Sequence, residues 1–160
     1  MKKILDYINN LSEGKFIALS LLVALIFTVP FTFYNVYSNN IYGGPQFSKN
    51  MLFGWASFAN IIITPIVESI LIVIVSKLIG QATDNKFMIT FITAILFLGT
   101  YNYGIAYAII TFIPSFIFVS AYILYKNNKR LNSFSIMVII HLVYNLIQMC
   151  FTVLATSLLK

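Results

Sequence analysis

The sequence predicts an all-α, polytopic membrane protein: a transmembrane helix bundle with about five spans and a cytoplasmic N-terminus. The composition predicts a membrane protein, because 60% of the 160 residues are hydrophobic and only 9% are charged. Soluble domains have roughly 25% charged residues. The apolar stretches are also long and continuous, without the alternation typical of membrane β-strands. In lipid, backbone polar groups must pair within the chain, so these stretches are expected to be helices.

The first 15 residues are predicted to form a cytoplasmic amphipathic segment, and residues 16–160 the transmembrane helical domain. In the first segment the apolar residues recur at helical spacing, which favours a helix lying on the membrane surface. They are Ile4, Leu5, Ile8 and Leu11. The apolar run Phe16–Tyr34 that follows is too long for the core of a signal peptide, so it indicates an uncleaved first span.

The later spans are separated by segments rich in Asn, Gly, Ser and Lys, which are typical of turns and loops. The five predicted spans are Phe16–Tyr37, Met51–Ser76, Phe87–Thr100, Ile105–Tyr125 and Ser133–Leu159. The third span is short for a bilayer crossing. The first, second and fourth contain Pro30, Pro65 and Pro114, and Pro30 is expected to kink its helix.

The basic residues test this topology independently of hydropathy. Eight of the ten Lys and Arg residues fall on the cytoplasmic side if the N-terminus is inside, which obeys the positive-inside rule. They are Lys2, Lys3, Lys15, Lys77, Lys86, Lys126, Lys129 and Arg130, while Lys49 and Lys160 fall outside. Basic residues that flank apolar runs form no patch of their own, so the net charge of +6 predicts no nucleic-acid partner. The expected location is the lipid bilayer of the cell membrane.

Glu68 is the one acidic residue inside a predicted span. A charged side chain at the centre of a membrane helix costs roughly 2.5–3.5 kcal/mol, so it requires either a partner or a function. Glu68 is therefore a candidate proton acceptor. The alternative is a protonated carboxyl group that serves helix packing.

His141, the single histidine, also lies inside a predicted span, with Asn145 one helical turn further on the same face. Two hydrogen-bonding side chains that converge in this way could stabilise an oxyanion, although a purely structural role stays open. Glu68 and His141 are each about eight residues, or roughly 12 Å, from the cytoplasmic end of their helices. We therefore expect the carboxyl group and the imidazole to lie at similar depth on helices that could touch.

Metal and cofactor chemistry is not predicted. One histidine, one intramembrane glutamate and the single cysteine, Cys150, do not supply the ligand set of a catalytic zinc site. The expected partners besides lipid are a membrane protein or a peptide.

Three short segments carry a resemblance to a known family: Pro65–Val73 (PIVESILIV), Phe97–Tyr101 (FLGTY) and His141–Asn145 (HLVYN). In order and spacing they resemble the motifs of the CPBP family, the CAAX-protease and bacteriocin-processing (Abi) membrane proteins. Those motifs are EExxxR, often preceded by proline, then FxxxH and HxxxN. The similarity covers about residues 55–148, and it implies a four-helix intramembrane endopeptidase core with one extra helix in front.

The resemblance implies roles for four residues. Glu68 would be the base that activates water, His141 and Asn145 would form the oxyanion hole, and Tyr101 stands where the family has a second water-activating histidine. Three positions depart from the family pattern, because Ser69 replaces the second glutamate, Val73 the arginine and Tyr101 the histidine. A phenol is a poor base at neutral pH, so water activation would fall to Glu68 alone.

Three functions stay open at this point. The first is a CAAX-type, glutamate-dependent endopeptidase acting within the membrane. The second, favoured by the replaced residues, is a non-catalytic bacteriocin-immunity or regulatory protein that binds a membrane partner or peptide. A small proton-relaying transporter or scaffold subunit is the third, and the lack of paired inverted repeats disfavours it.

Overall fold

A computed structural model of the chain describes residues 2–38, 54–99, 105–125 and 130–159. These residues are mostly helical, with no strand among them, so the predicted all-α class is confirmed. A π-helical turn, Ala59–Ile63, separates the third and fourth α-helices. The helices are α1 (Lys2–Asn10), α2 (Glu13–Tyr37), α3 (Trp55–Phe58), α4 (Thr64–Gly80), α5 (Lys86–Leu98), α6 (Ile105–Ile123) and α7 (Ser133–Leu159).

Three helical segments of the described chain are long and apolar enough to cross a membrane: Glu13–Tyr37, Ala59–Gly80 and Ser133–Leu159. Helices α5 and α6 are apolar but shorter. A hydrocarbon core of about 30 Å requires roughly 20 helical residues. The chain thus has the helices of a membrane protein.

The helix boundaries differ from the predicted spans by a few residues, most clearly at the start of α2 and at the end of α4. Helix α2 begins at Glu13 rather than at Phe16. Helix α4 continues to Gly80 instead of ending at Ser76, and the Ser76 hydroxyl donates to the Ile72 carbonyl within the helix. The predicted loop therefore shrinks to residues 81–85, where the Asn85 side chain accepts the backbone N–H groups of Phe87 and Met88 and caps α5.

Helix α7 is the centre of the described bundle, since α2, α4, α6 and the π turn all pack against it. Small buried residues at every fourth position of α2, namely Ser20, Ala24 and Thr28, form its inner face. This spacing allows two helix backbones to approach closely, which is the usual way in which membrane helices gain packing energy.

The contacts also fix helix directions. From α2 to α7, Thr32 bonds Gln148 and Phe33 meets Phe151, so residue numbers rise together and these helices run parallel. Between the π–α4 segment and α7 the order is reversed: Glu68 contacts His141 and Asn60 contacts Asn145. These two helices are therefore antiparallel.

One end of the bundle is closed by contacts between the start of α2 and the segment that joins α6 to α7. The Glu13 carboxylate accepts the backbone N–H groups of Arg130 and Leu131, at 2.7 and 3.1 Å. The Tyr125 hydroxyl donates to the Leu11 carbonyl at 3.0 Å, and its ring stacks on Phe16 at 4.1 Å. These contacts hold the first turns of α7 in place and thereby help to position His141.

Candidate active site

The His141 side chain lies in the interior of the bundle, with 2% of its surface exposed. The Phe118 ring of α6 stacks on the imidazole, with a centroid distance of 4.2 Å. The Phe97 ring of α5 meets it edge-on at 6.5 Å. Aromatic residues from two helices therefore hold the imidazole plane in one orientation.

Glu68 reaches this imidazole from α4. Its Oε2 atom lies 3.2 Å from Nε2 of His141, and 15% of the Glu68 side chain is exposed. The structure thus brings together the intramembrane acid and the single histidine that the sequence placed at similar depth. Because the pair sits in an apolar bundle, its mutual attraction is weakly screened, and the loss of either partner is costly.

The other imidazole nitrogen, Nδ1, is buried and has no hydrogen-bond partner among the described residues. If Nε2 carries the proton, it donates to Glu68 and Nδ1 is left with only a bare lone pair. If Glu68 carries the proton instead, Nδ1 holds a buried N–H without an acceptor, which proteins rarely contain. The geometry favours the first arrangement, in which the Glu68 carboxylate is the acceptor.

Asn145 contacts the π turn rather than the Glu68–His141 pair. Its Nδ2 atom donates to the backbone carbonyl of Asn60 at 3.2 Å. One of the two amide N–H bonds is therefore occupied, and the second remains for any oxyanion role. His141 and Asn145 thus each have a partner on the segment formed by the π turn and α4.

The structure describes two of the three positions that depart from the family pattern. Tyr101 lies outside the described residues, although Phe97 of the same motif borders the imidazole. Ser69, at the position of the second acid, is fully buried, and its hydroxyl has no hydrogen-bond partner in the described part of the chain. Val73, at the arginine position, packs against the apolar core. In the described ranges, no cluster of three or more His, Cys, Asp or Glu residues could hold a metal ion.

The π turn and its contact with Asn145 were missed by sequence analysis. Two signals for them existed: Pro65, which lacks an N–H group, and Asn60, a polar residue five positions earlier in the same apolar run. Neither signal alone identifies a π turn, because prolines and single polar residues also occur in regular membrane helices.

Comparison with known proteins does not assign the chain to a family. No protein-family model matches the chain, and neither a curated protein nor a solved structure matches it. The candidate site is therefore defined by Glu68, His141, Asn145 and the groups that contact them.

Proposed function

We propose that this protein is a CPBP-like intramembrane endopeptidase in which Glu68 is the catalytic base for hydrolysis of a membrane peptide, such as a CAAX-type C-terminal segment. The contact of 3.2 Å between the Glu68 carboxylate and the His141 imidazole carries the proposal. Ionisable groups inside a membrane bundle are costly to maintain and usually mark a functional site.

The chemistry follows from the donors and acceptors present. Glu68 takes a proton from water, and the resulting hydroxide attacks the scissile carbonyl carbon. Nε2–H of His141 and the unused N–H of Asn145 stabilise the negative oxygen of the tetrahedral intermediate. Glu68 then returns the proton to the leaving amine as the C–N bond breaks. Because the carboxylate and the imidazole are in direct contact, a substrate must separate them before the first step.

The proposed topology has five spans in the cell membrane, with the N-terminus in the cytoplasm. Parallel packing of α2 with α7, and antiparallel packing of α4 with α7, support an odd number of crossings. The distribution of Lys and Arg favours a cytoplasmic N-terminus. Fusing a reporter enzyme to residues 81–85 and to the C-terminus tests this arrangement, which requires opposite sides for the two.

The decisive test is whether new protein termini depend on Glu68. The termini of membrane proteins are identified in cells that express the wild-type chain, Glu68→Ala or the control Asp84→Ala, which removes an exposed acid between α4 and α5. We expect termini that appear with the wild type and with Asp84→Ala and that fall about 10²–10⁴-fold with Glu68→Ala. Equal termini in all three strains, at equal membrane levels of protein, would overturn the proposal.

A non-catalytic function has its own support. Ser69 and Val73 offer neither a second acid nor a counter-charge beside the pair, and one Asn145 N–H is already used by Asn60. The chain would then bind a membrane protein or peptide, as a bacteriocin-immunity or regulatory protein does. This alternative predicts that partner binding or protection survives Glu68→Gln, and its loss in a normally inserted variant counts against it.

A further inference from the structure

We propose that Asn145 is a positioning residue: its side chain supplies the hydrogen bond that Pro65 cannot give to the π turn, and it thereby fixes the register in which Glu68 faces His141. The inference rests on contacts of the described residues, and it holds whether or not the protein is a peptidase.

The Asn60 carbonyl has no donor within its own helix. In an α-helix or a π-helix, a carbonyl accepts from the backbone nitrogen four or five residues further on, which here belongs to Thr64 or Pro65. The Thr64 N–H is given to the Ala59 carbonyl, five residues back. Pro65 has no N–H. The Asn60 carbonyl is thus left without an intrahelical partner, and Nδ2 of Asn145 fills the position at 3.2 Å.

This bond also determines the orientation of the Asn145 amide. The acceptor is a carbonyl oxygen, so the contacting group must be the NH2 and not the amide oxygen. Neither an ionised aspartate nor a leucine at position 145 could replace this bond, because neither side chain has a hydrogen to donate. A backbone N–H at position 65, in contrast, could replace it without any change in α7.

The bond acts on Glu68 through helix register. A π turn holds one more residue than an α-helical turn, and removing that residue rotates one side of the helix against the other by about 100°. Two contacts, Asn60 with Asn145 and Glu68 with His141, join the same two antiparallel segments. Together the two contacts restrict both the depth and the rotation of α4 against α7, and the Glu68 contact alone restricts the rotation less.

The sequence permits a direct measurement of the pair. The chain has one histidine, His141, and its two glutamates are Glu13 and Glu68. Magic-angle-spinning NMR on protein in lipid, labelled with 15N in histidine and 13C in the glutamate carboxyl group, measures dephasing between His141 Nε2 and the Glu68 carboxyl carbon. Glu68→Gln sets the baseline, because it removes the labelled carboxyl group from the site.

The experiment compares Asn145→Leu, Pro65→Ala and the double variant. We expect Asn145→Leu to lose more than half of the wild-type dephasing above baseline and Pro65→Ala to keep it. The double variant should recover it, because the new N–H at position 65 can donate to the Asn60 carbonyl. Full dephasing in Asn145→Leu, or no recovery in the double variant, overturns the proposal.

A control separates this mechanism from general stabilisation by the removal of a proline. Gln148→Leu breaks other α7 hydrogen bonds, to Thr32 and Tyr144, and Pro65→Ala should not reverse its loss of thermal stability. Equal rescue of Gln148→Leu and Asn145→Leu contradicts the proposal. If Asn145→Leu does not insert or fold, the yield of folded protein replaces the NMR measurement: recovery by Pro65→Ala supports the proposal, and failure to recover overturns it.

Discussion

Two faces of α7 use polar side chains in different ways. The face towards α2 carries Tyr144 and Gln148, which are neutral, whereas the face towards α4 carries His141, which meets the Glu68 carboxyl group. Both faces lie within the same apolar helix, so the membrane imposes the same cost on an unpaired group at each. The difference between them separates packing from a candidate function.

On the α2 face neutral hydrogen bonds link side chains of the two helices. The Thr32 hydroxyl shares its proton between the Thr28 carbonyl at 2.9 Å and the Gln148 amide oxygen at 3.1 Å, and the Gln148 amide nitrogen donates to the Tyr144 hydroxyl at 3.2 Å. Small residues of α2 bring the two backbones together next to these bonds. Such neutral interhelical bonds contribute modestly to stability, about 0.6 kcal/mol on average.

On the α4 face some hydrogen-bond donors and acceptors are not used by the contacts between the helices. Nδ1 of His141 is buried without a partner among the described residues, Glu68 is partly exposed, and the second N–H of Asn145 is not given to Asn60. A face that served only packing would be less costly with apolar side chains, because a buried carboxylate must be compensated, and even a buried charged pair can often be replaced by hydrophobic residues without loss of stability. This cost supports the proposal that chemistry or binding, rather than stability, maintains this face.

The largest effect is expected from His141→Leu, which leaves the Glu68 carboxyl group without its partner. Breaking a buried pair in this way typically costs 3–5 kcal/mol, and we expect a loss of about 3 kcal/mol in the free energy of unfolding. Unfolding of the purified protein by sodium dodecyl sulfate in mixed micelles measures it.

The double variant Glu68→Leu/His141→Leu sharpens this result. Since both polar groups are removed together, we expect it to be more stable than His141→Leu alone and close to the wild type. If the double variant instead loses the sum of the two single losses, Glu68 and His141 are not coupled. The α4 face would then be no different in kind from the α2 face.

An intermediate effect is expected from Ala24→Leu on the α2 face. Ala24 is fully buried in the row of small residues, so a larger side chain must push α2 away from the bundle. Overpacking of this kind costs about 1–3 kcal/mol. The matched control is Val23→Leu, one residue away on the exposed side of α2, which should change the unfolding free energy little. Equal effects of the two variants would contradict the proposed close packing of α2.

How far the sequence predicts each face depends on the range of the interactions. Hydropathy and turn residues are local, and they were sufficient for the helix class and for the start of α7 at Ser133. The scarcity of charge was sufficient to single out Glu68 and His141, because an ionisable group in lipid stands out from any apolar background. The depth estimate counted eight residues from Glu68 to Ser76, whereas α4 ends at Gly80, so the count was four residues short even though the two groups are in contact.

The remaining features depend on contacts between helices that no local pattern encodes. Asn145 was expected to point with His141 at one reacting atom, yet its Nδ2 bonds the Asn60 carbonyl. That contact depends on the missing N–H at Pro65, on the π turn and on the antiparallel packing of α7. A sequence-based prediction of the contact would need all three. The end of α4 was placed too early for a different, local reason: Ser76 donates its hydroxyl to a carbonyl of its own helix and does not end it.

The smallest effect is expected from Gln148→Leu, which removes the hydrogen bonds to Thr32 and Tyr144. Leucine has a similar volume and is common in membrane helices, so only the hydrogen bonds are lost. We expect a cost of about 0.6 kcal/mol and no more than about 1.7 kcal/mol in the free energy of unfolding. The same unfolding assay measures it. Because Gln148 lies about two turns from His141, the variant should leave Glu68-dependent cleavage or partner binding intact. A loss of function without a loss of stability would mean that the α2 face also takes part in the site, and the contrast between the two faces of α7 would no longer hold.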